Sequence, residues 1–461
     1  MRTLLPLLLL ASVAIAEQPR TMRLDFYHSG NATQELFSLD KVVVEPLSWP
    51  GRMDKTVGDL NIGDWFFEVA DKATKKVLYS RGYSTIYGEW VTTAEAKALS
   101  RTFHESLRFP RPDGPVRVTV RKRDAENKWK DAWAIAIDPA DIFVDTSVPD
   151  PPGELIELEK NGPPEEKVDL LILGDGYTAA ERKKFEGDAK RVLGALFDTS
   201  PFKERRKSFN VWGLCPPARE SGISRPSTGI HKANPVGTTY DAFGSERYLL
   251  TFDNRAMRRI ASFAPYEYVE ILTNTRTYGG GGILGLYGTA AADSRWASYV
   301  FVHEFGHHFA GLADEYYTSP VAYAPATGRV EPWQPNVTAL ADPAKLKWKE
   351  LVAADTPLPT PWGKENYEAR SREFQKKRAQ LRKERRPEEE MESLMEEQKR
   401  IEGRLLGAEK YAGKVGAFEG AHYEATGYYR PAADCIMFTR SEAFCPVCRR
   451  AIERVIDQYA K

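Results

Sequence analysis

Apolar residues recur with two different periods along the chain, and the change of period marks its organisation. Val116 to Val120 and Trp133 to Ile137 alternate apolar with polar or small residues, with the polar stretch Asp124 to Lys130 between them. Side chains on a strand point to opposite faces in turn, so this is the pattern of two half-buried strands joined as a hairpin. Similar short runs stand at Lys41 to Val44 and Trp65 to Val69. Residues 17–148 are therefore expected to form a small all-β sandwich domain, with nothing catalytic in it. Residues 149–167 open with Pro149-Asp150-Pro151-Pro152-Gly153 and include Pro163-Pro164. They read as a linker.

A new pattern begins at Val168. The run to Leu173 is apolar except for Asp169, ends at Gly174-Asp175-Gly176, and is followed by helical spacing from about Ala179 to Phe197. Tyr268 to Leu272 is a second strand candidate. Strand, glycine turn and helix predict an α/β (α+β) domain over residues 168–461. Within it, residues 364–406 are dominated by Lys, Arg and Glu. Tyr367, Phe374 and Leu381 recur every seven positions, and Pro387 divides the segment into two arms. The expectation is an inserted helical hairpin. Its charge reads as a solvated outer face, with a partner- or substrate-docking arm as the alternative.

The first residues bear on the compartment. Met1-Arg2 is followed by the apolar run Leu4 to Ile15 and by the cleavage pattern Ala14-Ile15-Ala16. Residues 1–16 read as a signal peptide cut near Ala16, which places the mature protein in a secreted or periplasmic location. No later run is long and apolar enough to span a membrane. The 65 Lys and Arg balance the 65 Asp and Glu, which argues against a nucleic-acid partner. Nothing in the sequence sets an oligomeric state. The four cysteines, Cys215, Cys435, Cys445 and Cys448, are expected to form disulfides in an oxidising compartment. Cys445-Pro446-Val447-Cys448 lacks the strand–helix context of a redox motif, and as a single pair it is a poor structural zinc site. Asn31-Ala32-Thr33 and Asn336-Val337-Thr338 are glycosylation sequons.

The chemistry centres on His303-Glu304-Phe305-Gly306-His307. Residues four apart share a helix face, so both imidazoles can reach one metal ion, with Glu304 beside its open position as general base. Zinc needs a third protein ligand. Gly311 can end the helix in a left-handed conformation, letting the chain double back to present Asp314. In the metzincin pattern the third ligand follows its glycine by three residues, as Asp314 follows Gly311, although this glycine comes one residue later. Asp314 can alternatively orient a ligand histidine. His308 points to another face. Met437, in Cys435-Ile436-Met437, is a candidate Met-turn packing beneath the histidines, or ordinary core. Gly280, Gly282 and Gly285 match a dinucleotide fingerprint formally, but no helix pattern starts there. Gly282, Ile283 and Leu284 are instead candidates for an edge strand that binds substrate, with a flexible loop as the alternative. Tyr428, Tyr429 and His422 are candidate proton or hydrogen-bond donors, or structural residues.

These stretches carry a resemblance. His303 to Tyr316, Asp169 to Tyr177, Glu220-Ser221-Gly222, and Cys435-Ile436-Met437 with Cys445-Pro446-Val447-Cys448 resemble the IgA-peptidase family of metallopeptidases. The likeness covers Val168 to the C-terminus apart from the charged segment, and the β domain is similar to one that commonly precedes this catalytic domain. The resemblance implies a metzincin-like endopeptidase with one catalytic Zn2+, cleaving extracellular proteins or peptides through a zinc-activated water and Glu304. It does not imply that immunoglobulin A is the substrate. The competing readings are a non-catalytic zinc-binding adhesin or scaffold, and a zinc hydrolase of non-peptide bonds.

Overall fold

The computed structural model describes residues 18–319, 321 and 329–461, and the expected leader at residues 1–16 lies outside them. The chain opens with β1 (Arg20–Gly30), β2 (Glu35–Ser48), β3 (Trp65–Asp71), β4 (Val77–Tyr83), the short helix α1 (Ile86–Val91), β5 (Arg101–Pro110), β6 (Val116–Arg123) and β7 (Trp129–Ile137). These strands form two antiparallel sheets, β2-β1-β5 and β4-β3-β6-β7. Alternate residues of β5 and β6, such as Phe103, Leu107, Val116 and Val118, are buried in a core rich in Trp and Phe. The expected hairpin is present as β6 and β7, paired from Val116 opposite Ile137 to Arg123 opposite Trp129 with one register shift between Val120 and Arg121.

A third, six-stranded sheet follows, built from β8 (Ile156–Glu159), β9 (Val168–Asp175), β10 (Phe209–Leu214), β13 (Tyr268–Thr273), β14 (Gly280–Ile283) and β15 (Tyr287–Ala291); the short pair β11 (Thr238–Thr239) and β12 (Leu250–Thr251) lies outside it. Its order is β14-β15-β13-β9-β10-β8. The four inner strands run parallel, and β14 and β8 are antiparallel edges. One part of the expected linker is thus a strand. Ile156 and Leu158 alternate with Glu157 and Glu159, a pattern four residues long that the flanking prolines mask.

The apolar run Leu170 to Leu173 in β9 has a structural cause: both faces of the sheet are covered. Leu170 and Ile172 pack with α2 (Arg182–Asp198), α4 (Ala297–Ala310) and α7 (Pro446–Tyr459). Leu171 and Leu173 face the other way and join the core of the β domain, as do Ile271 and Tyr287. The helix α3 (Asn254–Ala261) extends this second layer. Late in the chain, α5 (Lys364–Lys383) and α6 (Glu388–Gly407) pack on each other, with Tyr367, Phe374, Met391 and Met395 buried, and β16 (Phe418–Ala421) pairs with β17 (Glu424–Arg430).

Two expectations are corrected here. The cysteines are free rather than bridged: Cys215 lies apart beside Gly174, while the other three meet in the interior with Glu315. Asn336 is no accessible sequon, because it is fully buried and its amide bonds both Ala313 backbone groups and Glu315.

Candidate active site

Helix α4 presents the histidines because of what packs on either side of it. Edge strand β14 runs across it so closely that a Cβ on Gly282 would lie 2.3 Å from the Glu304 carbonyl and 2.9 Å from the His307 Cβ. Only glycine permits that approach. Beneath the helix, Gly306 faces the Met437 sulfur, and Met437 is fully buried. The helix stops at Gly311, whose φ of 60° is the left-handed conformation a Cβ would disfavour. The chain then turns back and brings Asp314 to the histidines.

Three donor atoms converge. Asp314 Oδ1 lies 3.1 Å from His303 Nε2 and 3.2 Å from His307 Nε2, and the two Nε2 atoms are 3.2 Å apart. Donors about 2.0–2.1 Å from a tetrahedral ion stand roughly 3.3 Å from one another, so the triangle has the size of one tetrahedral face. The ring orientations agree with this. His303 Nδ1 donates to the Ile436 carbonyl at 2.8 Å, and His307 Nδ1 to the Leu312 carbonyl at 2.5 Å. Holding the proton on Nδ1 leaves each Nε2 lone pair pointing at the shared centre. The residues present therefore fit a metal ion. Burial opposes charge on His307, but Asp314 outweighs it and holds the pKa up to about 9. Burial also opposes ionisation of Asp314, yet His307 and His303 hold its carboxyl well below the usual range.

Glu304 is half-buried on the same helix and faces a cleft of about 470 Å³. Burial pushes its carboxyl up in pKa, against the pull of His303 and His307. The cleft walls come from three parts of the molecule: Asp64 and Ser84 of the β domain, Gly280 to Leu284 of β14 and its turn, and Ser371, Gln375 and Arg378 of α5. The sequence does not mark the β domain as a wall of the site, and for the charged segment it offers a docking arm only as the alternative to a solvated face.

The remaining site residues fall on both sides of expectation. Gly282 and the buried Ile283 and Leu284 lie along the cleft. His308 faces away, its Nδ1 2.8 Å from the buried Glu270. His422 and Tyr428 line the cleft, but Tyr429 is not among its wall residues; its backbone pairs with Thr338 instead. The Tyr299 hydroxyl lies 3.4 Å from His303 Nδ1, and the hydroxyl that donates to Asp314 Oδ2, at 2.7 Å, is that of Tyr423. It reaches there from the β16–β17 turn, where His422 and Tyr423 both have positive φ, 55° and 67°. Non-glycine residues in that region carry strain, and no periodicity in the sequence reports it.

A family model described as IgA Peptidase M64 matches residues 156–456, and one described as Peptidase M64 N-terminus matches residues 15–134. Among curated proteins, none matches the chain. The first match takes in the whole six-stranded sheet, the three converging donors and Glu304, and the second takes in most of the β domain. The chain belongs to the IgA peptidase M64 family and is a metallopeptidase, a hydrolase acting on peptide bonds.

Proposed function

We propose that this protein is an exported, metzincin-like zinc endopeptidase with Glu304 as its general base. The observation that carries the reading is the triangle of His303 Nε2, His307 Nε2 and Asp314 Oδ1, with Glu304 beside it and open to the cleft. Two imidazoles and one carboxylate suit zinc and leave a fourth position for water or substrate. When bound, the ion polarises the scissile carbonyl and acidifies the attacking water. Glu304 accepts the water's proton and delivers it to the leaving amine, a transfer favoured by the upward push of burial on its carboxyl. Tyr423 holds Asp314 from behind, and the Ile436 carbonyl holds His303.

Substrate is read as an added strand on β14. The backbone of Gly280 faces away from β15, its N–H donating to the Arg247 carbonyl and its carbonyl accepting from Leu249. At the other end, Ser84 donates to the Leu284 carbonyl. By alternation, Gly282 turns its N–H and C=O toward the same outer edge, between these two covered points. A substrate backbone would therefore pair with one residue, Gly282, next to Glu304. The helices α5 and α6 are read as a hairpin inserted into the catalytic domain that forms the far wall.

Digestion of a peptide library by the zinc-loaded protein tests the reading. Wild type is expected to cleave, and Glu304→Gln to lose roughly 10²–10⁴-fold in kcat, the usual contribution of a general base. A Glu304→Gln variant as active as wild type would remove Glu304 from the mechanism.

A further inference from the structure

A second constellation lies behind the first. Cys435, Cys445, Cys448 and Glu315 are all buried, and one donor atom from each lies within 4.8 Å of the others. We propose that these four residues hold a second, structural zinc ion, separate from the catalytic centre, which pins the turn beneath it.

The distances carry the proposal. Sulfurs about 2.3 Å from a tetrahedral zinc stand roughly 3.8 Å apart, and a carboxylate oxygen about 2.0 Å from it stands roughly 3.5 Å from such a sulfur. Cys435 Sγ and Cys448 Sγ are 3.8 Å apart, and Cys448 Sγ is 3.5 Å from Glu315 Oε1. Backbone N–H groups already point at two of the sulfurs: Cys445 N–H at Cys435 Sγ, 3.3 Å, and Cys448 N–H at Cys445 Sγ, 3.5 Å. Such donors stabilise thiolates rather than thiols. Cys445 is also the N-cap of α7 with Pro446 behind it, so the helix dipole favours negative charge there. Asn336 donates to Glu315 Oε1 at 2.9 Å, as residues around a ligating carboxylate do.

Two further observations point to a ligand. Glu315 Oε2 is buried without a hydrogen-bond partner among the described residues, a costly state for a carboxylate that nothing coordinates. And the cysteines number three. Any disulfide would use two and leave a thiol facing a buried carboxylate, whereas three thiolates and one carboxylate complete a tetrahedral zinc site. Binding takes the thiols as thiolates, their protons passing to solvent. Soft sulfur donors select zinc over calcium or magnesium.

The position gives the ion a task. Asp314 and Glu315 are neighbours, as are Cys435 and Ile436, so each pair sends one residue to each centre. Glu315 N–H donates to the Met437 carbonyl at 2.9 Å, and the Ile436 carbonyl fixes His303. A structural ion here clamps both the segment bearing Asp314 and the turn that orients His303.

The test is metal content in full-length protein with the catalytic histidines removed. His303→Ala/His307→Ala, loaded with zinc and dialysed, should retain one zinc per chain against two in wild type. No zinc in the double variant would overturn the proposal, even where wild type keeps one. One zinc in both proteins would uphold it and unseat the catalytic reading instead. Cobalt(II) in the double variant should give an intense near-ultraviolet thiolate-to-metal band that Cys445→Ser weakens; binding without that band would overturn the thiolate ligation. Thiol titration after chelation and denaturation should find all four cysteines reactive; two missing thiols would mean a disulfide and overturn the site.

Discussion

The cluster of His303, His307 and Asp314 shows how one residue's surroundings decide its role. Asp314 is a carboxylate with two oxygens, one facing the histidines and one held by Tyr423. Tyr423→Phe keeps the ring and removes this hydrogen bond, so metal affinity should fall roughly 10–100-fold, as it does when such outer partners are lost. Competition with a chromophoric chelator measures this, and excess zinc should restore most of the activity; unchanged affinity would make Tyr423 a bystander. The convergence of His303, His307 and Asp314 was legible because a helix period and a glycine stop fix them, with Glu304, within twelve residues. Tyr423 was not, because its reach depends on a strained turn more than a hundred residues away. A second titratable residue sits in the β domain. His28 is buried, with Glu105 at 3.1 Å on Nδ1 and Glu35 at 2.9 Å on Nε2. Burial opposes its charge, but the two carboxylates outweigh it and raise its pKa. A folded pKa above the unfolded value of about 6.5 gives stability that is complete below that value and lost as pH rises through the folded one. His28→Gln should therefore lower Tm more near pH 6 than near pH 9, and a constant difference in thermal melts would count against the ion pairs.

At the scale of elements, the glycines of β14 set the distance between strand and helix. Gly282→Ala would place a Cβ 2.3 Å from the Glu304 carbonyl, and backbone cannot yield as a flexible side-chain tip can. The strand or α4 must shift by a large part of an ångström, which displaces both His307 and the edge offered to substrate. Cleavage should fall by at least about 10²-fold, with weaker zinc binding by the same chelator competition. Full activity would show that β14 does not seat the helix. The element pattern was readable wherever one rule governed it: alternation gave β6 and β7, and the run buried on both faces gave β9. It misled where a short strand was embedded in proline and charge, as with β8. It also missed that Glu315 and Cys435, distant in sequence, fold against the single C-x-x-C pair.

At the scale of the whole molecule, the cleft is a joint product of the β domain, the catalytic sheet and α5, and its charge is uneven. Arg378 of α5 lines it together with Arg247 and Arg440. Burial and then Arg440 disfavour the charge of the Arg378 guanidinium, with Arg247 and Arg382 adding to the effect and Tyr278 opposing it; no carboxylate stands among these strongest influences. The hydrogen-bond partners of Arg378 and Arg440 shown within the cleft are the neutral amides of Gln375 and Gln398. Glu402 already faces Arg440, and Asp314 and Glu304 face Arg247, so Arg378 is the guanidinium whose repulsion an acidic substrate side chain would relieve while accepting paired hydrogen bonds. The seven-residue period of the charged segment shows a helix, but only the packing of α5 over the cleft turns its face into a cleft wall. Cleavage sites in a peptide library should accordingly be enriched in Asp or Glu at one position on the α5 side of the scissile bond. Arg378→Gln should reduce that preference about tenfold in kcat/KM, equivalent to about 1.4 kcal/mol, while leaving cleavage of peptides without an acid there nearly unchanged. A uniform loss across all peptides would instead mean that Arg378 supports the wall without reading the substrate.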